Sequence, residues 1–334
     1  MMKNLRLAFA ALALAGLSLA AMPAGAQQPT AVNPTVNAVK EEQLLRALKP
    51  GEAIGGRVSI PDGKAANLQR PMNRDWTAFR DGPMRWIGAL TILGILAALT
   101  AFYLVKGRLK VEGGLSGVKL LRFGTLERFT HWLTAGSFIV LALSGLNLTF
   151  GRVVLAPIFG PEAFATLSQW GKYAHNYLAW PFMAGLAIMF LVWVRDNIPN
   201  KLDIAWIKAA GGFLGGGHPP AKRFNAGQKV IFWSVILGGA ALSVSGLVML
   251  FPFQATAIAG QQIAHLVHGL TGLVLAGIII AHIYIGSVGM EGAYDAMGSG
   301  EVDLAWAREH HSLWAEEELK KLPSSATPLP MAAE

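Results

Sequence analysis

Apolar and polar positions along this chain alternate in long blocks. Each apolar block is bounded by charged residues, proline or glycine, and the five blocks are Trp86–Val105, Phe129–Phe150, Tyr173–Val194, Val230–Phe253 and Ile263–Ser287. An α-helix rises about 1.5 Å per residue, so about 20 apolar residues cross the hydrocarbon core of a bilayer. The pattern therefore predicts an all-α membrane protein, a transmembrane helix bundle with five spans in the mature chain.

The first residues of the chain have the features of a signal peptide (1–26). A positively charged start precedes the apolar stretch Leu7–Ala21, and Ala24-Gly25-Ala26 has the form of a cleavage site. An uncleaved anchor helix is the alternative, but the apolar stretch is short for a membrane span. Residues 27–85 are polar and rich in proline, glycine and asparagine. They are expected to form a periplasmic segment without an active site.

Composition and charge agree with a membrane protein. The chain is 53% hydrophobic and 14% charged, with a formal net charge of +8. The loops after the first and third blocks carry twelve basic residues, and those after the second and fourth carry two. Basic loops flanking membrane spans are usually cytoplasmic, which accounts for the charge better than nucleic-acid binding does. This bias predicts a periplasmic N-terminus and a cytoplasmic C-terminal tail (291–334), with Arg80 and Arg85 as minor exceptions.

Four histidines lie within three of the apolar blocks and match in depth. His131 begins the second block and His282 lies near the end of the fifth, so both are predicted near the cytoplasmic face. His175 begins the third block and His268 lies near the start of the fifth, so both are predicted near the periplasmic face. His268 and His282 are 14 residues apart. They therefore project from about the same helix face, separated by about 21 Å along the axis.

Each predicted pair can hold one metal ion between imidazoles from neighbouring helices. Structural zinc needs four protein ligands, and no carboxylate or thiolate lies at these depths. Two imidazoles suit the axial positions of a haem iron, whose other ligands come from the porphyrin. The alternative is that these histidines only form hydrogen bonds between helices. His265 is expected to have a packing or interfacial role, whereas His218 and the pair His310-His311 are expected to be solvated.

The chain contains no cysteine. Disulfides, thiolate metal sites, cysteine-held iron–sulfur clusters and thioether-attached haem are therefore excluded within it.

The second and fourth blocks contain a similar four-residue sequence. The two copies are Leu143-Ser144-Gly145-Leu146 and Val244-Ser245-Gly246-Leu247. A pair of small residues inside a span allows two helices to pack closely. It can equally leave room for a flat cofactor, and periodicity does not separate the two interpretations.

Four further sequences make the chain recognisable. They are RDNIP at Arg195–Pro199, FNAGQK at Phe224–Lys229 followed by FWS, the span HGLTGLVLAGIIIAHIY, and AWAREHHSLW at Ala305–Trp314. Over about Leu120–Leu319 the chain resembles the dihaem cytochrome b subunits of membrane-bound formate dehydrogenases and nickel–iron hydrogenases. The finer matches favour the gamma subunit of formate dehydrogenase.

This resemblance implies roles for particular residues. The haem ligands of that family fall on His131, His175, His268 and His282, which agrees with the depth argument. It also implies a four-helix dihaem cytochrome b domain (120–290) preceded by an extra transmembrane helix (86–105). The family's quinone site falls on Asn225, Gly227 and Gln228. The alternative for Asn225 is that it only caps the start of the fourth span, a position that asparagine favours.

Together these inferences predict the membrane-anchoring subunit of a formate:quinone oxidoreductase in the bacterial inner membrane. The resemblance implies that electrons pass from an iron–sulfur (beta) subunit through two b haems to quinone near the cytoplasmic face. The resemblance further implies that a molybdopterin-containing catalytic (alpha) subunit oxidises formate. One alternative is the cytochrome b subunit of a nickel–iron hydrogenase or another periplasmic oxidoreductase. A more remote one is a histidine-lined metal or proton transporter, but that function favours acidic residues, which these blocks lack.

Overall fold

The computed structural model describes residues 73–212 and 217–321. The predicted signal peptide and most of the predicted periplasmic segment lie outside these residues. All of the described residues belong to one compact unit, Met72–Glu334.

Helices make up most of the described part of the chain. The helices are α1 (Asn73–Asp81), α2 (Pro83–Lys106), α3 (Thr125–Val154), α4 (Ala156–Phe159), α5 (Pro161–Trp193), α6 (Lys201–Lys208), α7 (Ala226–Leu250), α8 (Ile258–Tyr284), α9 (Asp295–Gly298), α10 (Leu304–His310) and α11 (Ser312–Lys321). A 3-10 turn, Ala210–Gly212, follows α6, and a π turn, Ile285–Gly289, continues α8. The two strands are β1 (Lys119–Leu121) and β2 (Glu301–Asp303).

Five helical segments within the described residues are long and apolar enough to cross a membrane. They are Asp75–Lys106, Thr125–Val154, Pro161–Trp193, Ala226–Leu250 and Ile258–Gly289. This confirms the predicted five-span helical bundle. Each segment begins before its apolar block because its first turns fit the interfacial region beside the hydrocarbon core, whereas the fourth ends at Leu250, before the end of its block. Pro83 and Pro161 occupy first-turn positions, where the missing N–H group costs nothing.

The outer surface of the bundle is apolar. Leu104 is 78% exposed and Leu191 is 75% exposed, and many other large apolar side chains on the spans also face outwards. A contiguous apolar surface of this kind would promote association in water. A lipid environment removes that penalty, and helices satisfy their backbone hydrogen bonds internally there. The fold is therefore that of a multi-pass membrane protein.

The bundle is built from two helical hairpins, α3 with α5 and α7 with α8. Contacts between α5 and α7 join the hairpins, and α2 packs against α8. The approach of α2 requires a small residue at Gly88, because a Cβ atom there would lie 2.7 Å from the Leu273 side chain. The first span thus lies beside the helix that carries both His268 and His282.

One end of the bundle is covered by the folded C-terminal region. Strand β2 pairs antiparallel with β1, so that Leu120 lies opposite Val302. Val302, Trp306, Ala307 and Trp314 are buried in the same apolar cluster as Trp193 of α5. We call the segment Asp295–Lys321 the tail cap. The end of the bundle that this segment covers is called the tail end, and the opposite end is called the far end.

A buried arginine fastens the tail cap. Arg122, which is 3% exposed, has its guanidinium carbon 5.1 Å from the ring centre of Phe123, 5.4 Å from that of Trp306 and 4.8 Å from that of Trp314. Cations are attracted to the faces of aromatic rings at such distances. Burial lowers the pKa of Arg122 to about 9, so the side chain stays charged at neutral pH.

His311 completes this contact and corrects the expectation that the tail histidines are solvated. Its ring is fully buried, donates from Nδ1 to the Lys222 carbonyl at 2.9 Å and faces Arg122 Nη2 at 3.0 Å through Nε2. Burial, with the charge of Arg122, holds the pKa of His311 well below its usual value. Burial also lowers the pKa of His310 to about 4. The expectation was wrong because the tail, although it has no long apolar block, folds onto the bundle.

Candidate functional site

Four histidines inside the bundle form two pairs. His131 of α3 and His282 of α8 lie at the tail end, with ring centroids 6.3 Å apart. His175 of α5 and His268 of α8 lie at the far end, with ring centroids 6.0 Å apart. These are the two pairs that the depth argument predicts. Their role as metal ligands stays a prediction.

The spacing within each pair fits two imidazoles that share one metal ion. Imidazole nitrogen binds a transition metal at about 2 Å. Adding the distance from nitrogen to ring centre on both sides gives a centroid separation of about 6 Å for imidazoles on opposite sides of one ion. Both observed separations, 6.3 and 6.0 Å, agree with this value.

Two serines orient the far-end pair. Ser144 Oγ lies 2.8 Å from His175 Nδ1, and Ser245 Oγ lies 3.1 Å from His268 Nδ1. Each hydroxyl also donates to a backbone carbonyl of its own helix, at 2.7 Å for Ser144 and 2.6 Å for Ser245. A hydroxyl has one hydrogen, so each oxygen accepts from the imidazole N–H.

The resulting tautomer suits metal binding. With the proton on Nδ1, Nε2 of both rings keeps its lone pair for a metal. His268 Nδ1 also lies 3.1 Å from the Leu242 carbonyl, which can only accept a hydrogen bond. The sequence argument identified the histidines but missed Ser144 and Ser245 as their orienting partners.

The repeated Ser-Gly sequence explains this arrangement. Each serine contacts the histidine at its Nδ1, and the adjacent glycine lies against the same ring. A Cβ at Gly145 would lie 3.7 Å from His175 Cε1, and one at Gly246 would lie 3.3 Å from His268 Cε1. The second and fourth spans therefore present the same small surface to the two far-end imidazoles.

The tail-end pair has a different environment. His131 Nδ1 is buried and has no hydrogen-bond partner among the described residues. Trp132 stands edge-on to the His131 ring at 5.1 Å and donates from Nε1 to the Met297 carbonyl at 2.9 Å. Packing and the tail cap therefore position this pair, whereas serine hydroxyls position the other.

His265 lies apart from both pairs. Its ring is 5.5 Å from that of Trp76, in α1. Its Nδ1 atom is buried without a partner in the described part of the chain. This position agrees with the packing role expected for it.

The asparagine motif at the start of α7 forms a reciprocal cap. Asn225 Oδ1 accepts from the backbone N–H of Gln228 at 3.0 Å, and Gln228 Oε1 accepts from that of Asn225 at 3.2 Å. This is a capping box, which satisfies two otherwise unpaired donors at the helix start. Gly227 lies against Trp206, whose Cη2 atom would be 2.8 Å from a Cβ atom. The alternative role considered for Asn225, a helix cap, is thus present.

Next to this motif, a groove of about 700 Å³ lies between α6, α7 and α8. Its walls are mainly apolar and include Trp233 and Leu275; Ala226 lines it, but Asn225, Gly227 and Gln228 do not. At its polar end, the buried Lys229 donates to Asp203 at 2.9 Å and to the Ile198 carbonyl at 3.0 Å. The groove offers an apolar ligand a surface beside the capped helix end.

A membrane bundle with two pairs of facing imidazoles belongs to the class of histidine-containing helical membrane proteins. Comparison with known families identifies the family. A family model described as prokaryotic cytochrome b561 matches residues 122–300, more than half of the chain. The chain belongs to this family. Membership of a cytochrome b family implies b-type haem and a role in electron transfer.

Within this family, the chain is similar to cytochrome subunits of formate dehydrogenases. The chain is 30% identical over 204 residues to the cytochrome b556(Fdn) subunit of the nitrate-inducible formate dehydrogenase of Escherichia coli, covering 59% of this chain and 91% of that protein. It is 31% identical over 211 residues to the cytochrome b556(fdo) subunit of formate dehydrogenase from the same organism, covering 62% and 97%. A formate dehydrogenase cytochrome b556 subunit of Haemophilus influenzae is 29% identical over 208 residues, covering 60% and 84%. The predicted resemblance is confirmed.

Proposed function

We propose that this chain is the dihaem cytochrome b subunit of a formate dehydrogenase in the bacterial inner membrane. It carries electrons from a periplasmic iron–sulfur subunit to quinone near the cytoplasmic face, while a molybdopterin-containing subunit oxidises formate. The observation that carries the proposal is the presence of two separate imidazole pairs, with centroids 6.3 and 6.0 Å apart, in a relative of formate dehydrogenase cytochromes. When bound, haem supplies an iron atom that accepts and releases one electron.

The four histidines are proposed as the residues that would hold the haems, His131 with His282 and His175 with His268. Ser144 and Ser245 support this role at the far end because they keep the proton on Nδ1 and leave Nε2 free. Since His268 and His282 are 14 residues apart on α8, the two sites lie about 21 Å apart along the axis. This separation supports transfer across much of the membrane.

The proposed orientation places the tail end in the cytoplasm and the far end in the periplasm. It rests on the twelve-to-two distribution of basic residues between alternate loops. The proposed domain limits are a signal peptide at 1–26, a periplasmic segment at 27–85, an extra span at 86–105, the dihaem domain at 120–290 and a cytoplasmic tail at 291–334.

Reporter fusions test the orientation. A reporter fused after Phe253 is expected to be active in the periplasm, and one fused after Lys208 in the cytoplasm, because the positive-inside rule assigns those loops to opposite sides. Alkaline phosphatase and green fluorescent protein, fused at the same two positions, provide matched readouts. The reverse pattern would exchange the two faces and move quinone reduction to the periplasm.

The quinone site is proposed at Asn225, Gly227 and Gln228, with the adjoining groove receiving the apolar part of the quinone. The capping box uses one carbonyl oxygen from each amide, Asn225 Oδ1 and Gln228 Oε1. Each side chain keeps an NH₂ group that can donate to a quinone carbonyl. A capping role and a quinone-binding role are therefore compatible.

Two isosteric variants separate the roles. Asn225→Asp and Gln228→Glu keep the oxygen acceptors of the capping box but remove the NH₂ donors. In membranes that contain the whole complex, formate should still reduce the haems of both variants. Reoxidation by added quinone is expected to slow by about 10-fold, since one lost hydrogen bond to a carbonyl contributes about 1.5 kcal/mol. Stopped-flow haem absorbance measures both steps.

Asn200→Asp provides the matched control, because Asn200 caps α6 through the same kind of box, outside the motif. It should leave reoxidation unchanged. Normal reoxidation in both motif variants would reject the quinone site and leave the haem assignment intact. Haems that formate cannot reduce in the unmodified complex would instead reject the proposed electron donor.

A further inference from the structure

A second cluster of ligand-type side chains lies at the tail end, outside both histidine pairs. His218 Nε2 lies 3.2 Å from Glu309 Oε1 and 3.6 Å from Glu112 Oε1. His310 Nε2 lies 3.6 Å from the same Glu309 oxygen. The two imidazole rings are perpendicular, with centroids 5.5 Å apart. Ligand atoms of two histidines and one glutamate thus lie together, and the exposed Glu112 side chain approaches them beside His218.

These separations match the edges of a metal coordination tetrahedron. Zinc binds imidazole nitrogen and carboxylate oxygen at about 2.0–2.1 Å, which gives neighbouring tetrahedral ligands a spacing of about 3.3–3.4 Å. The three observed contacts, at 3.2, 3.6 and 3.6 Å, lie close to this spacing. The ligand atoms of His218, Glu309 and His310 all lie within 4.8 Å of one another.

The cluster is held in place by its surroundings. The second carboxylate oxygen of Glu309 accepts from the backbone N–H of Glu112 at 2.9 Å, which turns Oε1 toward both imidazoles. The side chain of Glu309 is 9% exposed and that of His310 is 14% exposed. The His310 ring also packs on Trp306 of the tail cap, at 5.2 Å. Two of the four groups are therefore mostly shielded from water and oriented by packing.

We propose that Glu309, His218 and His310 bind a divalent transition-metal cation, Zn²⁺ by preference, with Glu112 as the fourth ligand. Paired imidazole and carboxylate ligands at tetrahedral spacing favour zinc over the hard cations Mg²⁺ and Ca²⁺, which prefer oxygen ligands. The ion joins the loop that contains Glu112, the loop that contains His218 and helix α10. It fastens the tail cap to the bundle and takes no part in electron transfer, so the inference is independent of the proposed function.

Metal counting on the purified haem-loaded protein tests the site. Tag-free protein in detergent is stripped with chelator and equilibrated with Zn²⁺ buffered at nanomolar free concentration, and bound zinc and haem are counted per chain. The wild type is expected to bind one Zn²⁺. Glu309→Gln and His218→Ala are each expected to bind it at least about 10-fold more weakly. Glu316→Gln, which changes an exposed glutamate of α11, should bind as the wild type does.

A second measurement follows the tail cap directly. Zn²⁺ should slow amide hydrogen exchange in Asp295–Lys321 of the wild type and have no such effect in His218→Ala. His218 lies in a loop, so its removal leaves the helices intact, and haem content reports the fold of each variant. Failure of the wild type to bind Zn²⁺ at micromolar free concentration would overturn the proposal. Equal zinc binding by wild type and both ligand variants, at normal haem content, would overturn it as well.

Discussion

The two histidine pairs have nearly the same spacing but are held in different ways. At the far end, serine hydroxyls on two spans fix the Nδ1 atoms of His175 and His268. At the tail end, His131 Nδ1 has no such partner in the described residues, and Trp132 links the site to the tail cap. Side chains of the spans alone orient the far-end pair, whereas the tail-end pair also contacts the tail cap through Trp132.

This difference indicates how two similar sites can have different properties. A hydrogen bond to Nδ1–H fixes the ring orientation and makes the opposite nitrogen a stronger ligand. The repeated Ser-Gly sequence provides that bond at the far end alone. Hydrogen bonding to the ligands of a haem changes its reduction potential. Haems at the two sites are therefore expected to have different reduction potentials.

The largest effect is expected from removal of a proposed ligand. His175→Ala and His268→Ala should each reduce the haem content from about two to about one per chain by loss of the far-end haem. His131→Ala and His282→Ala should do the same at the tail end. Pyridine haemochrome assays count haem, and low-temperature difference spectra identify which band remains. His265→Ala is the control and should keep both haems. If His265→Ala lost a haem while His268→Ala kept both, the assignment would be contradicted.

A smaller effect is expected from removal of the orienting hydroxyls. Ser144→Ala and Ser245→Ala should weaken far-end haem binding about 10-fold to 100-fold, because Nδ1 loses the oxygen that fixes the ring. The tail-end haem should be unaffected. Competition with a haem acceptor protein measures retention. Ser243→Ala is the matched control, since its hydroxyl bonds to the Gly239 carbonyl and contacts neither pair; an equal loss there would show that hydroxyl removal acts on helix stability alone.

The smallest effect is expected from a change in the tail cap. Arg122→Lys keeps the charge but loses the planar group that contacts three aromatic rings and both His311 Nε2 and the Arg223 carbonyl. Amide exchange in Asp295–Lys321 should quicken several-fold, and the tail-end haem should dissociate faster by a factor of about 2–5, corresponding to less than about 1 kcal/mol. Far-end retention should stay normal. Equal changes at both ends would contradict a local role for the cap.

Much of the bundle was predictable because its signals are local or periodic. Five apolar blocks of spanning length specify five helices, and helix periodicity places His268 and His282 on one face. The preference of asparagine for helix starts likewise raised a cap at Asn225 as the alternative role, and the structure has that cap as part of a capping box. These inferences need only the geometry of a single helix.

The tail cap and the serine contacts were not predictable in the same way. Val302, Trp306 and Trp314 are scattered among polar residues, so no apolar block marks them as core. Their burial depends on pairing between β1 and β2, which are 180 residues or more apart in sequence. The repeated Ser-Gly sequence was visible, but its contact with imidazoles on other helices requires the distances between spans.

Helix α8 contributes one imidazole to each pair and also receives the first span at Leu273, near the midpoint between His268 and His282. A helix behaves as a stiff rod over this length, so an axial shift carries both rings in the same direction by the same amount. Their partner imidazoles lie on two other helices, His131 on α3 and His175 on α5. A displacement of α8 by the first span would therefore move one imidazole of each pair together and change the spacing of both pairs at once.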